Sequence, residues 1–378
     1  MVPMKRLAIL FFLLVPSLAL AADKTVYIRT GCANDGDGTT SACAASPGAT
    51  GAHNTCANAI SDEVVANADL TAMAGDLILD AAGTTAETTG CTIAGFTTSA
   101  TYLVRLDGDW TGGVWSTSYY RFEIAGSPGA GVTVNDQYVE IQDVQFYASG
   151  TGSGTYQTIH AAEGAGGLSL KVTNCLMRGE AHAGGGNGGG IYFRPDVANV
   201  RGTFANNVIY GFSGTDTIGL RLDGSGYNDG EIIIAYNNTV HGSPVGMSTH
   251  GGGASDAQYI KNNVINSCST ACYQLNSAGA HATDTTATNL SEDTSSPNNT
   301  WDSLAVTFVS ETGGSEDLHL NASDTAAKDQ GTDLSGDAQY ALSIDVDGAT
   351  RTGTWDIGAD EITAAADNLP ILQAIGEE

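Results

Sequence analysis

Four charged residues, Arg194, Arg221, Asp223 and His250, fall in or just beyond short phrases of one design. The phrases are GIYFR from Gly190, GLRLD from Gly219, GMSTH from Gly246 and CYQLN from Cys272, with TIHAA from Thr158 as an earlier relative. Their second residues, Ile159, Ile191, Leu220, Met247 and Tyr273, are 32, 29, 27 and 26 residues apart. If each phrase is a strand and the strands stack, alternation turns those five inward and the following residues outward. One outward column then reads His160, Tyr192, Arg221, Ser248 and Gln274, and a second, two residues on, reads Arg194, Asp223, His250 and Asn276. An arginine on such a face can bind a uronate carboxylate. A histidine or arginine can remove or return a proton in elimination or hydrolysis, and a tyrosine offers a ring to a sugar. Arg221, Asp223 and His250 are therefore the candidate catalytic residues. Tyr192, Arg194, His160 and Gln274 are the candidate substrate-binding residues, and no metal-ligating set is read on this face. The same positions are also where any stacked strand would simply meet water.

What must position them is a second recurring phrase. It reads VTNCLMRG at Val172–Gly179, FANNVIYG at Phe204–Gly211, AYNNTVHG at Ala235–Gly242 and IKNNVINS at Ile260–Ser267, with a worn copy, TATNLSED, at Thr286–Asp293. Its second Asn-type position falls at Cys175, Asn207, Asn238, Asn263 and Asn289, spaced 32, 31, 25 and 26. Each unit thus carries one short strand ending in a turn and a second strand leading into the Asn phrase. A unit without a helix cannot bury its own apolar face, but stacking units at about 4.8 Å pairs every backbone group and builds a continuous core. Val172, Phe204, Ala235 and Ile260 then form one apolar column, and Met177, Ile209, Val240 and Ile265 another. Asn amides between them can bond up and down the stack as ladders. The expected fold is all-β, a right-handed parallel β-helix.

The chain divides accordingly. Residues 1–22 read as a signal peptide: Lys5 and Arg6, then the apolar run Leu7–Val15, then Ala19-Leu20-Ala21. Residues 23–91 form an N-terminal cap and first coil, with the strand TVYIRT, a helix from Asn54 to Ala68, and the strand DLILDAAG. Thr55 or Asn54 can cap that helix, and Ala57, Ile60, Val64 and Val65 give it an apolar face. Residues 92–304 are the β-helix, 305–362 a closing segment and 363–378 a tail. The loop GEAHAGGGNGGG from Gly179 lacks the lysine and the strand–loop–helix context of a phosphate cradle, and is expected to protrude beside the working face.

Without Lys5 and Arg6, the 14 basic side chains become 12 against 42 acidic ones, a balance of −30. Such a chain repels nucleic acid and anionic membranes, and no later apolar run is long enough to span a bilayer. Export permits disulfides. Seven cysteines fit three bridges and one thiol: Cys268 with Cys272, two more among Cys32, Cys43, Cys56 and Cys91, and Cys175 as a buried singleton. The residues establish no cofactor. Ca²⁺ is the one ion the acidic balance would suit, at Asp35 and Asp37 in NDGDG or Asp345 and Asp347 in DVDG. Both phrases lack the full twelve-residue spacing, and tight turns use the same residues.

The Asn-rich repeats resemble those of secreted right-handed β-helix proteins of the pectate-lyase-like class. VYIRT, the NDGDGT loop and GDLILDAAGT are similar to the N-terminal cap of exported bacterial members. DLHL, SDTAAKDQGTDL, DVDGATR and DIGADE resemble the closing segment called choice-of-anchor Q. The resemblance implies a secreted or cell-surface setting with a polysaccharide or surface glycan as partner, and leaves the oligomeric state open. It does not imply one activity. The NTD, DD, GHG and RIK set of polygalacturonases is missing, THGGG at Thr249–Gly253 only echoes GHG, and WxDH is absent. The expectation is an exported glycan-binding β-helix of the adhesin, surface or virion-associated kind. A polysaccharide lyase or glycosidase working on the outer face of the first sheet is the alternative.

Overall fold

The computed structural model describes residues 22–125, 129–150, 156–162, 169–180, 188–194, 198–223, 230–250, 257–276, 288–297 and 300–362. Residues 1–21, where the signal peptide is expected, residues 181–187 of the glycine-rich loop, the GGG of THGGG and residues 363–378 lie outside them.

Three parallel sheets of eight, seven and seven strands are built from the chain between Lys24 and Ser291. The eight-stranded sheet begins at Lys24–Thr30, and it is called the long sheet below. The second begins at Arg121–Ala125 and ends at Leu290–Ser291, and it is called the buttressed sheet. The third, running from Cys91–Ile93 to Ala271–Asn276, is the candidate sheet. Each regular coil gives one strand to each, for example Ser169–Thr173, Leu176–Gly179 and Gly189–Arg194. The fold is a parallel β-helix. Three strands per coil replace the two read from the repeat, because the Asn phrase straddles a corner with a strand on either side.

Each corner uses two adjacent residues for two tasks. The first, Asn174, Asn206, Asn237 or Asn262, takes φ of 52°, 53°, 52° or 55°, a left-handed conformation that Asn tolerates better than most residues. The second builds the ladder. Asn207 Nδ2 donates to Asn238 Oδ1 at 2.9 Å, Asn238 Nδ2 to Asn263 Oδ1 at 2.9 Å, and Asn263 Nδ2 to Asn289 Oδ1 at 3.0 Å. Cys175 heads the column and gives its backbone N–H to Asn207 Oδ1 at 3.1 Å. Its thiol is free and buried, and burial pushes the thiol pKa up.

The apolar columns stack as read. Val172 pairs with Phe204, Phe204 with Ala235 and Ala235 with Ile260. Met177, Ile209, Val240 and Ile265 follow one another in the buttressed sheet. Ile159, Ile191, Leu220, Met247 and Tyr273 do so in the candidate sheet, and all are buried. Gly246 also faces this core: a Cβ there would lie 2.0 Å from Ile265 Cγ2.

The helix at the N-terminal end spans Cys56–Asn67, and Thr55 Oγ1 accepts from Asn58 N at 3.2 Å. Its buried face overlaps the expected one at Ile60 and Val64 only, and Ala57 is exposed. Cys56, Ala59, Ile60 and Glu63 face inward, Val64 is half-buried, and Val65 is 88 % exposed. Two tethers set this rotation: the Cys56–Cys91 disulfide, and Glu63 accepting from Lys24 Nζ at 2.6 Å. The other bridges join Cys32 to Cys43 and Cys268 to Cys272.

At the far end, Phe308–Ser310 pairs antiparallel with Asp317–Leu320. Phe308, Leu318, Leu320 and Ile357 pack with Leu176, Val208, Tyr210 and Val264 of the buttressed sheet. Leu334, Leu342 and Trp355 pack with Ala205, Ile234 and Tyr236 of the long sheet. The corner asparagines act as pegs, with Asn262 Nδ2 donating to Thr332 O at 2.7 Å and Asn206 Nδ2 to Ile344 O at 2.8 Å. Among the described residues, neither apolar cluster of the closing segment includes a residue of the candidate sheet.

Candidate functional site

The outer column of the candidate sheet is continuous. His160 pairs with Tyr192, Tyr192 with Arg221, Arg221 with Ser248 and Ser248 with Gln274. Parallel pairing at about 4.8 Å puts planar groups face to face. The His160 ring lies on the Tyr192 ring at 5.3 Å and 14°, and the Arg221 guanidinium lies 4.9 Å from the centre of the same tyrosine. Tyr192 is thus the middle layer of a three-layer stack, with imidazole on one side and a cation on the other.

Asp223, two residues along the same strand, accepts from Arg221 Nε, and its other oxygen accepts from Ser248 Oγ at 3.3 Å. The aspartate and serine are nearly buried, at 8 % and 6 % exposure. Each carboxylate oxygen thus accepts one side-chain bond, and Asp223 orients the guanidinium. Beside this pair opens a cleft of about 420 Å³, lined by Ile218, Arg221, Asp223, Ser248, Gln274 and Leu275 among others. Its volume is within the range of small-ligand sites, about 300–1,000 Å³.

The second outward column is only partly realised. Asp223 pairs with His250 and His250 with Asn276. Both latter side chains lie outside the described residues, so the backbone position of His250 beside Asp223 is all that is stated of it. Arg194 lies opposite Ala162, one step past the last paired residues of its strand and the next, Phe193 and Leu222. It is exposed, and its Nη1 donates to the Tyr192 hydroxyl at 3.4 Å. Tyr192 therefore meets both arginines, one at its face and one at its hydroxyl.

Sequence reasoning missed Asp216 and Gln157, which line a narrow crevice with Tyr192 and Arg221 on the other side of the stack. Asp216 stands in the corner before the strand, at φ 65°, where no strand alternation could flag it. A strand of residues 218–223 separates Asp216 from Asp223. At about 3.3 Å per residue that strand is roughly 16 Å long.

The acidic phrases form turns. Asp37 Oδ1 accepts from Thr39 N, Thr39 Oγ1 and Gly51 N at 3.1, 2.6 and 3.1 Å, and Asp345 Oδ1 from Asp347 N and Ala349 N at 3.0 and 2.8 Å. Two mixed groups hold ligand atoms within 4.8 Å of one another: Asp35, His53 and Asp62, and His319, Asp347 and Asp360. Each offers three such residues where Ca²⁺ takes six to eight oxygens.

No protein-family model, no curated protein and no solved structure matches the chain. Among the described residues, no helix is long and apolar enough to cross a membrane.

Proposed function

We propose that this is an exported protein that holds extracellular or cell-surface polysaccharide along the outer face of the candidate sheet. The observation that carries the reading is the Arg221 guanidinium, laid on Tyr192 and held by Asp223 at the edge of the 420 Å³ cleft. An oriented arginine matches a sugar carboxylate in bidentate fashion, and apolar Leu275 in the same cleft suits the hydrophobic face of a sugar ring. Resemblance of the repeats to pectate-lyase-like proteins, and of the C-terminal phrases to choice-of-anchor Q segments, supports a surface, adhesin or virion-associated role. So does the leader-like start of the chain. Holding is favoured over cutting because Asp223 is paired with Arg221 and no second carboxylate shares its cleft among the described residues.

The test is to incubate the mature protein with a panel of uronate and neutral polymers, with Ca²⁺ or EDTA, and to follow both retention and the appearance of unsaturated or reducing ends. Retention without new ends, weakened in Arg221→Ala and Tyr192→Ala, is the expected result. New ends that vanish in Arg221→Ala would make the protein a lyase or glycosidase instead.

A further inference from the structure

A second cleft, of about 310 Å³, lies on a different sheet. It opens where three successive strands of the long sheet begin, at Val139, Ser169 and Arg201, and the closing segment brings Tyr340 over it. Ala100 and Leu103 contribute apolar lining, and Tyr138 and Tyr340 contribute two aromatic rings.

The charges around it are unusual for this chain. Register places Arg105, Glu140, Lys171 and Thr203 in one outward row. Glu140 is shared, accepting from Arg105 Nε at 2.8 Å and Lys171 Nζ at 3.2 Å. Arg201 gives one N–H to the backbone oxygen of Gln339 at 2.6 Å and, among the described residues, has no carboxylate partner. Two cations, Lys171 and Arg201, thus line the cleft with one carboxylate, Glu140, while Arg105 lies outside the lining and has Asp76 and Asp107 as well as Glu140 acting on it. A chain with 42 acidic residues has here left a positive surplus around a walled cavity. The Lys171 ammonium also lies 5.8 Å from the centre of the Tyr340 ring.

We propose that this cleft binds the carboxylate-bearing ring of an acidic sugar. Arg201 and Lys171 meet the carboxylate, Tyr138 and Tyr340 flank the ring, and Ser169, Thr203 and Glu140 face its hydroxyls. The volume admits one or two rings. The assignment does not depend on the candidate sheet, since no residue is shared between the two clefts.

The experiment is calorimetric titration of the full mature protein with a trimer of galacturonic acid, and with neutral cellotriose as the control. It is run on wild type, on Arg221→Ala, and on Arg221→Ala combined with either Arg201→Gln or Lys171→Gln. Arg221→Ala should retain a binding event that fades with added salt, absent with cellotriose. Arg201→Gln or Lys171→Gln should weaken that event about tenfold, as expected for loss of one charge-assisted bond. Both substitutions are at partly exposed surface positions, and an unchanged thermal melt shows that each protein folds. Binding unaffected by both, or absent once Arg221 is removed, overturns the proposal. The candidate-sheet reading fails separately, if Arg221→Ala leaves the wild-type titration unaltered.

Discussion

Asn207 gives a side-chain hydrogen to Asn238 at 2.9 Å, and the same Asn238 oxygen accepts the Asn207 backbone N–H at 3.1 Å. One amide oxygen thus serves both the main chain and the side chain of the coil before it. Asn238 in turn donates to Phe204 O at 2.9 Å and to Asn263 Oδ1 at 2.9 Å. The residue is fully buried.

Asn238→Ala should therefore unfold at markedly lower denaturant. It strands the Asn207 backbone N–H and one of its amide hydrogens away from water and takes a donor from Phe204 O, at about 1–3 kcal/mol for each group left unsatisfied. Asn263 Oδ1 keeps the backbone N–H of residue 238 at 3.0 Å. Urea unfolding followed by circular dichroism measures this. A loss under about 1 kcal/mol would mean that water or a neighbour replaces the ladder.

The cap contains a second buried polar group, and it titrates. Glu87 Oε1 accepts from Cys56 N at 2.9 Å and Tyr120 Oη at 2.5 Å, while Oε2 has no partner. Burial lifts its pKa from 4.5 to about 7, against the opposing bonds from Tyr120 and Cys56. The folded state holds this proton more tightly than the unfolded chain. The contribution is complete below pH 4.5 and is lost as pH rises through about 7. Its ceiling is on the order of 3 kcal/mol. Hydrogen exchange in the Cys56–Asn67 helix, corrected for intrinsic rates, should show weaker protection at neutral pH than in mild acid. Glu87→Gln should flatten that dependence, and an undiminished slope in the variant would reject the assignment.

A histidine imposes a second pH limit at the opposite end. His319 Nδ1 faces Asp317 at 2.6 Å and Nε2 faces Asp347 at 3.1 Å. The bond to Asp347 raises its pKa from 6.5 to about 9; burial opposes the rise, and Asp360, Asp347 and Asp317 reinforce it. Stability from the imidazolium is present below 6.5 and disappears as pH climbs through about 9. The four tryptophans, Trp110, Trp115, Trp301 and Trp355, all belong to the two clusters that dock the closing segment. Their fluorescence should report loosening above about pH 9, and His319→Gln should show no such alkaline step.

On the candidate sheet, Asp223→Asn removes the carboxylate that orients Arg221 but leaves the fold's columns intact. Polysaccharide retention in affinity electrophoresis should fall several-fold, on the scale of about 1–2 kcal/mol, with little change in thermal midpoint. Tyr192→Ala should weaken retention further, because it removes the ring on which Arg221 lies and the hydroxyl that Arg194 meets. Retention equal to wild type in both variants would place the glycan elsewhere.

Much of this architecture was legible because a polar residue recurring inside an apolar column has few explanations. Asn207, Asn238 and Asn263 set the register, and that register correctly stacked His160, Tyr192 and Arg221. The first Asn of each pair went unread, since its work is a backbone angle rather than a contact. Val65 was placed on the wrong face of its helix because a disulfide and the Lys24–Glu63 pair, not periodicity, set the rotation. Arg194 left its expected column where the strand pairing ends. The long-sheet cleft was invisible in one dimension, because Tyr340 meets Lys171 only after the closing segment has crossed the corner.

That crossing also sets an order of assembly. Thr111 Oγ1 donates to Asp347 O at 3.3 Å across 236 residues of chain, and the corner asparagines that seat the closing segment exist only once their coils have turned. Coils can zip together neighbour by neighbour, as solenoids do, but the last segment has no surface to dock on until they have. Its docking therefore registers completion. A molecule emerging from a narrow channel, N-terminus first, could gain its coils one at a time yet would acquire its buttress only at the end, so that resistance to proteases arrives late and all at once.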